Sequence, residues 1–111
     1  KRLTFAQAET GASGIETLLP LSLELYHNGS VKLETIIKAL TSKPAEILKI
    51  NKGNLSIGNT ADFCIVDINK PWVVRKEKLI SKSKNTPIED KKLQGKVIST
   101  FVNGEELFKS E

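Results

Sequence analysis

Apolar residues recur at helical spacing through the first half of the chain and gather in short extended runs in the second. Ile15, Leu18, Leu19, Leu23 and Tyr26 follow a helical period, and Leu21 and Leu25 widen that stripe to the width of a largely buried helix. Pro20 lies inside it. Proline removes a hydrogen bond from a helix interior, so the pattern predicts a kink or a helix that starts near Leu19. Ser13 and Glu16 precede it at the spacing of a capping box, in which hydroxyl and carboxylate satisfy exposed amides. Asn28-Gly29 ends the helix. A second helix is expected from Val31 to Leu40, capped by Ser30, with Val31, Leu33, Ile36, Ile37 and Leu40 inward and Lys32, Glu34 and Lys38 outward. Pro44 starts a third, short helix to about Lys49, burying Ala45, Ile47, Leu48 and Ile50.

Beyond Asn51 the period changes. Leu55–Ile57 and Phe63–Val66 are short apolar pieces around a turn opened by Gly58 and closed by Asp62. Phe63–Val66 is apolar on both sides, which predicts a strand buried on both faces at the centre of a small sheet. Pro71–Arg75 reads as a short strand behind a proline, Lys76–Leu79 as a helical turn, and Ser81–Lys92 as an ordered polar loop. A strand is expected over Gly95–Val102. Asn103-Gly104 then signals a hairpin, since both residues tolerate positive φ, and Glu105–Lys109 returns along that strand. Lys1–Thr10 has no clean period and reads as a loop. Helices first and strands afterwards indicate an α+β arrangement or the junction of two domains, divided near residue 50.

Composition changes this picture little. The 111 residues are 39% apolar and 27% charged, enough for a real core. No apolar run has the roughly 18–20 residues of a membrane span, so no membrane partner is expected. The N-terminus lacks a secretory apolar region. One cysteine excludes an internal disulfide and fits a reducing, cytoplasmic setting. A net charge of +4 with scattered lysines and few aromatics argues against nucleic acid. The chain holds no methionine, so it is expected to be a processed product or a fragment.

Candidate chemistry is sparse. His27 is the single histidine, and with Cys64 and stray acids it makes no zinc-ligand spacing; at a helix end it reads as a surface or capping residue. Cys64 lies mid-strand and reads as a small core residue rather than a nucleophile. Asp62 and Asp67 flank that strand and have the form of an acid–base pair, but carboxylates that bond turn amides are far commoner there. Trp72 reads as core or interface. Ser81–Asn85 lacks the glycines of a phosphate cradle. Ala8-Glu9-Thr10-Gly11-Ala12-Ser13-Gly14 runs into a helix N-terminus and offers amides to an anion, a weak signal by itself.

Three stretches carry a family resemblance. Gly53-x-Leu55-x-x-Gly58-x-x-Ala61-Asp62-Phe63-x-x-x-Asp67 resembles the segment after the catalytic barrel of cyclic amidohydrolases. Phe5–Leu21 resembles the dihydroorotase motif Phe-x-x-Ala-x-x-Gly-x-x-Gly-x-Glu-Thr-x-Leu-Pro-Leu. Ser81-Lys82-Ser83-Lys84-Asn85-Thr86-Pro87, with Leu93–Val97 and Asn103-Gly104, resembles the dihydroorotase C-terminal signature, and Thr41-x-x-Pro44-Ala45 also fits. Ile88 stands where that family usually has phenylalanine, and Asp90 near its usual glycine.

The resemblance implies the last third of a bacterial, long-chain dihydroorotase. Residues 1–50 would be the end of a TIM-type (β/α)8 metal-dependent hydrolase barrel, with its substrate loop and last helices. Residues 51–111 would be the C-terminal strands of the attached composite β-sandwich. It further implies reversible zinc-dependent cyclisation of N-carbamoyl-L-aspartate to dihydroorotate in pyrimidine biosynthesis. Zinc, the aspartate base and the substrate-binding arginine would lie upstream, leaving this chain without catalytic or metal-binding residues and inactive alone. Backbone groups of Ala8, Glu9, Thr10 and Gly11 match substrate-binding positions. Self-association is expected from unpaired edges and apolar faces. The alternatives are a hydantoinase or allantoinase, an inactive homologue that binds aspartate transcarbamoylase, and a free-standing α+β module.

Overall fold

A computed structural model of the chain describes Thr4, Ala6, Gln7 and residues 11–110. The expected loop at Lys1–Thr10 therefore lies largely outside the described residues. A 3-10 turn at Ile15–Thr17 leads into α1 (Leu18–His27), followed by α2 (Leu33–Leu40) and α3 (Ser42–Leu48). The strands are β1 (Phe63–Val73), β2 (Lys92–Val102) and β3 (Glu105–Lys109), with a 3-10 turn at Lys76–Lys78 after β1. They form one antiparallel sheet in the order β1-β2-β3.

Pro20 falls in the first turn of α1, where no intrahelical partner is owed to its nitrogen, so no kink is required. The helix ends in a Schellman motif. The Ser30 amide donates to the Leu25 carbonyl and the Gly29 amide to Tyr26, with Gly29 at φ 80°. The expected Ser30 cap of α2 does not form, because α2 begins at Leu33 and the cap position falls on Lys32, which makes no side-chain cap bond. Of the predicted inner face of α2, Ile36 is buried and Ile37 is exposed. In α3 only Ala45 is buried, while Ile47, Leu48 and Ile50 face outward, because no described element packs over them.

Three expectations for the strands change. Phe63–Val66 is not central: β2 holds the middle because the Asn103-Gly104 hairpin lays β3 along its other edge. Cys64 and Ile65 are accordingly exposed rather than core. Pro71–Val73 is the continuation of β1, not a separate strand. Leu55–Ile57 is irregular and exposed, and its loop is knit instead by asparagines: Asn51 Nδ2 donates to Asn59 Oδ1 at 3.0 Å, and Asn54 accepts from the Ser56 amide at 3.2 Å. The hairpin forms as predicted, with φ 52° at Asn103 and 77° at Gly104.

The core sits where α1 crosses β2. Leu23 and Val74 are fully buried, with Leu79, Leu93, Ile36 and Ala45 nearly so. Between the pairs Asp67↔Lys96 and Pro71↔Gln94, residues 68–70 face a single residue, Gly95, in a bulge. Side chains take two carbonyls there: His27 Nε2 lies 2.8 Å from the Ile68 oxygen, and Trp72 Nε1–H donates to Gly95 at 2.8 Å. Gly95 has φ 116°, and Leu23 Cδ1 lies only 2.5 Å from where its Cβ would be. Absence of a side chain is what lets α1 seat on the sheet.

Candidate functional site

The expected capping box is absent. The cap positions fall on Gly14 and Thr17, neither of which makes a side-chain cap bond, and Ser13 and Glu16 turn instead to the loop after β1. Both Glu16 oxygens accept backbone amides, Oε1 from Ile80 and Oε2 from Ser81, each at 3.0 Å. The Ser13 hydroxyl donates to the Ser83 carbonyl at 2.9 Å and lies 3.0 Å from the Ser81 hydroxyl. The Ser13 amide donates to the Asn85 carbonyl at 2.7 Å, and Asn85 Nδ2 returns to the Gly11 carbonyl at 3.2 Å. A local cap lost to partners 64 to 70 residues away because a carboxylate with two paired amides gains more than one reaching a single exposed amide.

The loop of residues 79–91 is cross-bonded within itself and to Val74 at the end of β1 where it presents those groups. Leu79 is buried beneath it, and the Lys84 ammonium bonds the Leu79 carbonyl. The Thr86 hydroxyl accepts the Ile88 amide at 3.3 Å. Asp90 adopts φ 66°, the left-handed region where glycine is favoured, and it is the residue standing near the dihydroorotase glycine. Arg75 pairs with its carboxylate, and the Asp90 amide donates to Val74 at 2.8 Å. The two stretches that carry the dihydroorotase resemblance thus meet in space.

Of the expected substrate-binding residues, Gly11 is in this clasp, while Ala8, Glu9 and Thr10 lie outside the described residues. The other candidates do not converge. Asp62 accepts the Asn103 amide at 2.9 Å and pairs with Lys52. The Lys52 bond first, then that amide, holds its carboxyl below the usual carboxylate value. Asp67 accepts the Asn69 amide at 3.0 Å. Both aspartates therefore serve turns. His27, at the end of α1, is exposed and bound to the bulge, and Trp72 is half-buried with the Lys96 ammonium 5.8 Å from its ring centroid. Among the described residues no three His, Cys, Asp or Glu side chains gather as a metal site. They offer no fit for zinc. Composition and periodicity missed the pairing of Ser13 and Glu16 with residues 80–85; the signal that pointed to it was that both stretches match motifs of one family.

Comparison with known proteins agrees with that signal. The description "Amidohydrolase family" belongs to the profile that matches residues 5–107. The chain is 44% identical to a dihydroorotase from Ehrlichia chaffeensis over 111 residues, all of this chain and 25% of that protein. It is 42% identical to a dihydroorotase from Aquifex aeolicus over 92% of this chain and 24% of that one. Among solved structures, an L-hydantoinase (dihydropyrimidinase) from Arthrobacter aurescens superposes with a TM-score of 0.85 at 30% identity, covering 92% of this chain and 23% of the hydantoinase. The chain spans about a quarter of the length of these relatives. With a profile match over nearly its whole length and its two motif stretches bonded together, this chain belongs to the amidohydrolase family.

Proposed function

We propose that the chain is the C-terminal quarter of a dihydroorotase, which interconverts N-carbamoyl-L-aspartate and dihydroorotate in pyrimidine biosynthesis. The observation that carries this reading is the 44% identity to a dihydroorotase across all 111 residues. The clasp adds support, because the Ser-Lys-Ser-Lys-Asn-Thr-Pro run it uses is the stretch that separates dihydroorotases from hydantoinases.

In this reading residues 1–50 belong to the end of a TIM-type barrel and residues 51–111 to the strands of a β-sandwich beside it. Ala8, Glu9, Thr10 and Gly11 supply backbone contacts to the pyrimidine ring. The catalytic metal, zinc in this proposal, is held by residues outside this chain and would polarise the scissile amide and activate water. The described residues contribute position rather than proton transfer. The intact enzyme is cytosolic and self-associates; aspartate transcarbamoylase is the protein partner to test by co-purification.

The full-length gene product should cyclise N-carbamoyl-L-aspartate at acid pH and open dihydroorotate at alkaline pH, read by absorbance of the ring. Turnover of hydantoins alone would replace this reading with a hydantoinase. That second reading has its own support in the L-hydantoinase fold match.

A further inference from the structure

We infer that Glu16 is a positioning residue for substrate binding, acting through the loop of residues 80–85 on the backbone at Gly11; this deepens the dihydroorotase reading and rests on it. Gly11 is the described end of the proposed substrate loop. Its carbonyl accepts from Asn85, and the Ser13 amide two residues on donates to the Asn85 carbonyl. Asn85 is thereby tied to both sides of Ala12. What orients Asn85 is the rest of its loop, whose start is held by the two oxygens of Glu16 on the Ile80 and Ser81 amides.

The chemistry of Glu16 fits this use better than a purely local role. A carboxylate accepting two adjacent amides fixes both the distance and the rotation of a peptide segment, as a single hydroxyl would not. Side chain and partners come from segments 64 and 65 residues apart, so the contact ties the C-terminal half of the chain to the loop that would touch substrate. A serine pair, Ser13 and Ser81 at 3.0 Å, closes the gap between them. The Gly11 end of the proposed substrate loop is then set from residues 80–85, and loosening the clasp reduces binding more than turnover.

The test is steady-state kinetics of the full-length enzyme with N-carbamoyl-L-aspartate as substrate. Glu16→Ala should raise KM about ten-fold with kcat within about two-fold, the size expected for losing hydrogen bonds to a charged group. Glu16→Gln keeps one acceptor and should recover part of that loss. Asn85→Ala, which leaves Glu16 and its amides intact, should raise KM about three-fold or more. Asp62→Asn serves as comparator, because Asp62 anchors the distant hairpin and should change stability without changing KM. If Glu16→Ala does not fold, Asn85→Ala decides. Unchanged KM in Glu16→Ala and Asn85→Ala, or an equal rise in Asp62→Asn, overturns the inference. A wild-type enzyme that opens hydantoins and ignores carbamoyl-aspartate defeats the dihydroorotase reading instead, and the same variants compared on hydantoin then decide the positioning role.

Discussion

A methyl group at position 95 would sit 2.5 Å from Leu23 Cδ1, on a residue whose φ of 116° already disfavours any side chain. Leu23 is fully buried, so its methyl has nowhere to move without displacing α1. Gly95→Ala should therefore cost about 2–4 kcal/mol, from overpacking and backbone strain together. Gly29→Ala supplies the contrast: its φ is 80°, but nothing lies within 4 Å of the added Cβ, so only the backbone contribution of about 1 kcal/mol remains. Urea midpoints of the two variants measure the difference, and equal losses would show that helix and sheet yield at Gly95. At Asp62 the effect is electrostatic. Its folded pKa is lowered by Lys52 and by the Asn103 amide, so the ionised form stabilises the fold above the unfolded carboxylate value near 3.9, and that stabilisation is lost as pH falls through the lower folded value. Asp62→Asn should lower the melting temperature at pH 7, and the gap to wild type should narrow as the pH falls below about 4, closing only below the lowered folded value. A gap that does not narrow as the pH falls below about 4 would assign the loss to hydrogen-bond geometry rather than charge.

At the scale of elements, what was legible in the sequence divides by the reach of the interaction. The Asn103-Gly104 turn, the end of α1 at Asn28-Gly29 and the carboxylate of Asp67 depend on neighbours within a few residues, and all take the expected conformation; Asp62 also bonds a turn amide, but one 41 residues away. Ser13 and Glu16 also had plausible local partners, but each bonds elsewhere, across the molecule. Periodicity cannot weigh a local bond against a distant one of the same chemistry. Strand order failed for a related reason: two-sided apolarity marks a strand that is covered on both faces, yet Cys64 and Ile65 on β1 are open. The same holds for α3, whose apolar positions have the pattern of a buried face and no described neighbour to bury them. In the candidate site, Gly11 was marked in advance by resemblance, while its bond to Asn85, and that of Ser13 to Asn85, came from the geometry.

For the whole molecule, the unmatched faces add up to a measurable excess of surface. The accessible area is 8524 Å², against about 6,100 Å² for a folded monomer of this mass by the usual scaling. The radius of gyration, 16.0 Å, likewise exceeds the roughly 13 Å of a compact domain of this length. The difference of about 2,400 Å² is larger than the roughly 800 Å² that each partner contributes to a standard protein interface. Part of it is strongly apolar, since Ile47 is 80% exposed, Leu55 76% and Ile57 105%. Large apolar side chains this exposed mark surfaces that associate or aggregate in water. The 111-residue chain, produced alone, should therefore associate, with a light-scattering mass above its 12.2 kDa at about 10 μM and a fall toward that mass on dilution. Ile47→Lys with Ile57→Lys should shift that equilibrium toward monomer, because a buried unpaired ammonium opposes any apolar contact at those positions. If the unmodified chain stays monomeric over this range, these faces are tolerated in water and the argument from excess surface fails. If it associates but the double variant does so equally, association runs through the open edge of β1 instead, and blocking that edge becomes the measurement that separates the two.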